Sequence, residues 1–183
     1  MCLEKIGEFW CGVILDDQRR VVSCGFSNEG KAEVKNSILN GVPDDTGVVE
    51  SSADKYGSRI LQNIGLVCEG KDPEFIPEFV WERLPPFFRR ALKVTFTIPK
   101  GKVSTYGGVA EGSGAPRAAR AVGNAEASNP FAPFVPCHRV ISSSLSLGGY
   151  GGSLDVKKAI LRREGVVFSG ERVRKECVWK PHL

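Results

Sequence analysis

The pair Pro85-Pro86 constrains this chain more than any other feature, because it separates two halves with different structural preferences. Proline lacks a backbone N–H and restricts the residue before it, so neither a helix nor a central strand runs through the pair. Residues 1–84 hold nine Lys and Arg against fifteen Asp and Glu, a net charge of −6. Residues 85–183 hold sixteen against six, a net charge of +10. At 183 residues the chain is long enough for two small domains. The expected organisation is α+β, with a small N-terminal α/β domain over 1–84 and a mostly helical C-terminal domain over 85–183. A basic half suggests a polyanionic partner. Two solvated faces that neutralise each other explain the same charges, and charge alone does not choose between these readings.

The first half opens with a hairpin signal. Phe9–Leu15 is a continuous apolar run, Asp16-Asp17-Gln18-Arg19 is a polar turn, and Arg20–Phe26 is a second strand. Residues 27–49 give no clear element. Ala53, Tyr56, Ile60, Ile64 and Val67 recur at helical spacing and predict a helix over 51–68, ended by Gly70.

In the second half, Pro86 is placed to open a helix reaching Phe96, with Phe88, Leu92 and Thr95 on one face. A short element follows over 104–110, then the turn Gly112-Ser113-Gly114. Pro116 is expected to open a helix from Arg117 to about Ala127. Two short helices joined by a glycine-bearing turn suggest a helix-turn-helix, although ordinary helical pairs share this pattern. A last helix is predicted from Ser153 to Arg163, closed by Gly165. Glu164 then lies at a helix C-terminus, where the dipole disfavours an anion unless water or a cation attends it.

No apolar run approaches the length of a membrane span, and Glu4 and Glu8 interrupt any signal-like pattern at the N-terminus. A cytoplasmic protein, or a nuclear one in a eukaryote, is expected. Cys2, Cys11, Cys24 and Cys68 are widely spaced, and neither histidine precedes residue 130. No metal site and no cofactor are expected, and the cysteines read as small buried residues. One disulfide among them is left open.

The chemistry concentrates at Pro136-Cys137-His138-Arg139-Val140-Ile141. Cys137 ends a proline-rich apolar segment, where a thiol is partly desolvated on a stiff backbone. The adjacent imidazole is the usual device for making a thiol nucleophilic. A buried structural Cys-His pair is the alternative.

Residues 85–167 resemble the O6-alkylguanine-DNA alkyltransferases, also called methylated-DNA–protein-cysteine methyltransferases. The hallmark Pro-Cys-His-Arg-Val stands complete at 136–140. Around it stand Ser104-Thr105-Tyr106, Pro116–Gly123, Asn129-Pro130, Gly149–Gly152 and Arg163-Glu164-Gly165 in one register. The resemblance implies a ribonuclease H-like N-terminal domain and a winged-helix-like C-terminal domain. It implies a monomer that binds double-stranded DNA through the minor groove with weak sequence preference. O6-alkylguanine, and also O4-alkylthymine, would be flipped out of the duplex.

Residue by residue, Cys137 would accept the alkyl group irreversibly, in one turnover. His138 would take the thiol proton through a water, Glu164 would orient that imidazole, and Tyr106 would donate toward the leaving base. Asn129 would hold the turn before the cysteine segment, and Arg139 would be structural. Arg120 would fill the space left in the base stack. Arg117, Ala118 and Ala119 would complete the DNA-facing helix, the two alanines permitting close approach. Tyr150, Gly151, Pro136 and Ala132 would line the base pocket. Gly151 replaces a serine common in the family, and Ala132 replaces a proline, which would widen the pocket. A non-catalytic lesion-binding relative is the competing expectation, but such proteins usually carry tryptophan in place of the cysteine.

Overall fold

The computed structural model describes residues 1–40, 42, 47–50, 54–148 and 153–180. Its backbone forms two compact units. The first is Met1–Val80 together with Pro130–Phe134, and the second is Trp81–Asn129 together with Val135–Leu183.

In the first unit, strands β1 (Cys2–Ile6), β2 (Phe9–Leu15) and β3 (Val21–Ser27) form an antiparallel sheet in the order β1-β2-β3. Helices α1 (Lys31–Leu39) and α2 (Lys55–Cys68) pack against it. The predicted hairpin is β2 and β3, and β1 and α1 are additions. Gly12 and Gly25 pair across β2 and β3, and Ile38 of α1 sits over both. A Cβ on Gly12 would lie 2.8 Å from the Ile38 side chain. Helix α2 approaches β1 through Gly57 and Gly65, which abut Cys2 and Ile6. Leu3 packs on the Gly12 side, whereas Cys2 and Ile6 project from the other face of the pleat, so the helices cover opposite faces. The Asp54 carboxylate caps α2 by accepting from the Tyr56 N–H, and residues 51–53 of the expected helix lie outside the described residues.

The outer edge of β3 is covered by other chain. The Val21 N–H donates to Glu78 O at 2.7 Å, and the Cys24 N–H donates to Pro130 O at 2.7 Å. Such pairing removes an open strand edge. The Phe79 and Phe131 rings pack against each other at a tilt, with centroids 4.8 Å apart.

The second unit contains α3 (Pro86–Phe96), β4 (Ser104–Thr105), α4 (Tyr106–Gly112), α5 (Ala119–Ala127), β5 (Val140–Ile141), α6 (Leu154–Arg163), and the hairpin β6 (Phe168–Ser169) and β7 (Arg172–Val173). Strands β4 and β5 pair in parallel, placing the turn after α3 beside the residues that follow Cys137. One apolar cluster joins Ala91, Ile98, Val109, Val122 and Val140; another joins Val103, Ile141, Leu161, Val166 and Val173. Helix α5 starts two residues later than Pro116 suggests. The Ala118 N–H turns back to Ala115 O, and the first helical bond runs from the Val122 N–H to Ala118 O. Arg117 and Ala118 therefore precede the helix. The C-terminal tail, which the sequence left without a role, folds back along Val103: the Trp179 N–H donates to Val103 O at 2.7 Å.

Candidate active site

Cys137 begins a one-turn 3-10 helix, Cys137–Arg139, immediately before β5. Its N–H donates to Val135 O at 2.9 Å, and the Arg139 N–H donates to Pro136 O at 2.8 Å. Two successive short turns hold the thiol on fixed backbone. The Asn129 amide donates to Val135 O at 2.8 Å and also hydrogen-bonds the Cys137 sulfur. Cys137 is 7% exposed. Burial, and then the nearby Glu126 carboxyl, push its pKa up to about 11, against the opposing pull of Asn129 and Lys157. At neutral pH the resting group is a thiol.

His138 is fully buried, and its Nε2 lies 3.1 Å from Glu164 Oε1. Burial holds the imidazole below its ordinary pKa, although Glu164 pulls the other way. The ring is therefore neutral near pH 7. With a carboxylate at Nε2, the tautomer that satisfies the pair places the proton on Nε2, which donates to Glu164. Nδ1 is left with a free lone pair, buried and without a hydrogen-bond partner among the described residues.

Glu164 caps the C-terminus of α6, where the helix dipole opposes a negative charge. The fold supplies the compensation. Arg139 donates from Nε to Oε2 at 2.9 Å and from Nη2 to Oε1 at 2.7 Å, while its Nη1 donates to Ile98 O at 2.7 Å. Burial alone would raise the Glu164 pKa, but the hydrogen bonds from His138 and Arg139 hold it down at about 2. The carboxylate is therefore ionised at physiological pH and fixed at both oxygens.

Tyr106 is the first residue of α4. The consecutive glycines after it are poor helix formers, and the start is secured by Thr105, whose hydroxyl accepts from the Gly108 N–H at 3.0 Å. Gly148 has φ +70°, and a Cβ there would lie 3.1 Å from the Tyr106 ring. Burial, Glu126 and Cys137 raise the phenol pKa, so Tyr106 keeps its proton as a donor.

Two groups escaped sequence reasoning. Lys157 is fully buried in α6 and donates to Val140 O at 2.7 Å and Leu147 O at 2.8 Å. Burial lowers its pKa to about 8, with Cys137 and Glu126 opposing that shift. Glu126 is buried in α5, and its Oε1 accepts from the Thr95 hydroxyl at 2.6 Å. Both stand on the apolar stripe of their helices: Lys157 lies three and four residues before Ile160 and Leu161, and Glu126 lies four after Val122. That spacing was the available signal.

Other candidate residues are placed as follows. Arg117 and Arg120 are exposed, Ala118 and Ala119 are partly buried, and Pro136 is buried. Ala132 lies in the first unit, where its carbonyl accepts from the Cys24 thiol at 3.3 Å. Tyr150 and Gly151 lie outside the described residues. All six cysteines are buried, and none is joined in a disulfide in this structure. Among the described residues, no group of three or more His, Cys, Asp or Glu could hold a metal ion, and no helix is long and apolar enough to cross a membrane.

Comparison with known proteins bears on this arrangement. Residues 86–166 match the family model for the 6-O-methylguanine DNA methyltransferase DNA-binding domain. A methylated-DNA–protein-cysteine methyltransferase of Mycolicibacterium paratuberculosis is 43% identical over 122 residues, 67% of this chain and 72% of that protein. The crystal structure of O6-methylguanine-DNA methyltransferase from Pyrococcus kodakaraensis superposes with a TM-score of 0.69 at 27% identity, covering 90% of this chain and 99% of that one. The structure of Mycobacterium tuberculosis OGT in complex with DNA gives 0.68 at 28% identity, covering 90% and 91%. The mixed α/β fold is the one these structures share.

Proposed function

The chain belongs to the methylated-DNA–protein-cysteine methyltransferase family, and on that premise we propose that Cys137 repairs alkylated DNA by direct reversal, taking the alkyl group onto its own sulfur. The observation that carries this reading is the buried arrangement of Cys137, His138 and Glu164, with His138 Nδ1 unpartnered and Nε2 held by a fixed carboxylate.

A neutral imidazole with its lone pair on Nδ1 is the form that accepts the thiol proton, directly or through one water. The sulfur then forms a bond to the alkyl carbon. The carbon–O6 bond breaks, and its electron pair goes to the base. The proton lost by the thiol is balanced by the one that guanine takes up, with Tyr106 as the donor poised toward the ring. Because the thiol is not ionised at rest, proton removal and attack are linked, and the cysteine stays quiet until an alkylated base is present. The thioether product does not hydrolyse readily, so each molecule acts once.

DNA is the partner. Helices α4 and α5 are read as a helix-turn-helix that enters the minor groove, with Arg120 filling the gap left by the flipped nucleotide and Arg117, Ala118 and Ala119 beside it. The first unit is read as the ribonuclease H-like domain of the family, and the whole as a cytoplasmic monomer accepting O6-alkylguanine and O4-alkylthymine.

The test is an intact mass after incubation with duplex DNA carrying O6-methylguanine. The expected result is a gain of one methyl group per protein, absent in Cys137→Ala. A methyl gain that survives that substitution, or none in the unaltered protein, overturns the reading.

A further inference from the structure

Glu126 is an acid on the buried face of α5, 8% exposed. Its Oε1 is held by the Thr95 hydroxyl, but its Oε2 is buried and has no hydrogen-bond partner among the described residues. A buried carboxylate with a bare oxygen is costly, whereas a carboxylic acid in the same place is tolerated. Thr95 of α3 is its hydrogen-bond partner, and its charge acts on Tyr106 of α4, Cys137 of the 3-10 turn and Lys157 of α6. The nearest charged residue on its own helix, Arg120, is exposed.

We propose that Glu126 is a positioning residue for alkyl transfer that acts through its charge on Cys137: protonated, it leaves the thiolate unopposed, and ionised, it sets a second negative charge against that thiolate. This rests on the proposed role of Cys137 as the acceptor.

Two features support it. Burial raises the Glu126 pKa to about 7, so its proton comes and goes near neutrality. Lys157, the counter-charge, loses its own proton at about 8. As pH rises through this range, the charge contributed by the pair passes from +1 through zero to −1, while rising pH itself favours loss of the thiol proton. The two effects oppose each other, so the transfer rate should flatten where an ordinary thiol would accelerate.

The test uses the full-length protein and Glu126→Gln, which keeps the size and the contact with Thr95 but cannot ionise. Single-turnover methyl transfer is measured from pH 6 to pH 8.5, together with alkylation of Cys137 by a small thiol reagent without DNA. At pH 6 the variant and the unaltered protein should react alike. At pH 8 the variant should be faster by about fivefold or more, with its thiol titrating at lower pH. Glu126→Met should shift the thiol titration the same way, because the effect is one of charge. Superimposable pH profiles and unchanged thiol titrations overturn the proposal. Should the glutamine variant fold poorly, the unaltered protein decides: a Cys137 alkylation rate that keeps rising by about tenfold per pH unit from pH 6 to 8.5, without flattening between pH 7 and 8, overturns the proposal. A thiol shift in a protein that never takes methyl from DNA supports the role of Glu126 and refutes the repair reading instead.

Discussion

Arg139 grips Glu164 through two nitrogens, at 2.9 and 2.7 Å, and so aims the carboxylate that holds His138. Although it follows the histidine directly, its guanidinium turns to the helix end and to Ile98 O. The His-Arg dipeptide thus delivers a base and the anchor of its partner from adjacent positions. Replacing Arg139 with alanine leaves a carboxylate whose side chain is 1% exposed facing the unfavourable end of a helix. The expected loss of stability is about 3–5 kcal/mol, measured by urea unfolding. Arg139→Lys should recover part of that loss but not the two-point grip. Methyl transfer should fall in both.

Acid sensitivity follows from the same pair. The Glu164 pKa is about 2 in the fold against an ordinary 4.5. A depressed carboxyl pKa stabilises the fold above the unfolded value, and that contribution is lost as pH falls through the folded one. The window is therefore pH 4.5 down to 2, with a contribution on the order of 3 kcal/mol. Denaturant unfolding at intervals across this window should show the decline, and Glu164→Gln should flatten it.

Lys157 should matter to both packing and chemistry. Lys157→Met removes the donor for Val140 O and Leu147 O and also the cation that favours the Cys137 thiolate. A loss of about 2–4 kcal/mol in stability is expected, because two buried carbonyls lose their partner. The Cys137 titration should also move to higher pH, which packing loss alone would not cause. A DNA-free thiol alkylation profile measures this second effect.

Arg120 is exposed on the first turn of α5. Arg120→Ala should slow repair of duplex DNA by about tenfold or more, while leaving reaction with a free O6-alkylguanine base near its original rate. Equal loss on both substrates would remove the flipping role.

Much of this arrangement was legible in the sequence, and the failures have physical causes. The β2–β3 hairpin and helices α2, α3 and α6 follow from apolar spacing and their punctuation by proline and glycine. At Glu164 the helix-end argument left both solvent and a cation open, and only the family resemblance paired it with His138. Helix α1 was missed because only Val34 and Ile38 anchor it within a polar sequence. Strand β1 alternates too briefly to stand out, with Glu4 and Lys5 breaking its apolar character. Lys157 and Glu126 were missed because charged residues on helices are ordinarily solvated. Both instead lie where the apolar stripe points, and tertiary burial overrides their usual preference.

Residues 130–134 belong to the first unit, while Asn129 and Val135 on either side belong to the second. The backbone therefore changes units three times, and the last two changes fall within eight residues of the nucleophile. A protein begun at residue 85 would retain Cys137, His138 and Glu164 but lose Phe79, against whose ring Phe131 packs, and Cys24, whose N–H binds Pro130 O. The lead-in to the nucleophile would hang free, with two phenylalanines exposed to water. The sequence halves at a proline pair, but residues 130–134 return the chain to the first unit, so the segment that leads into Cys137 is anchored in a unit that contributes no reacting atom.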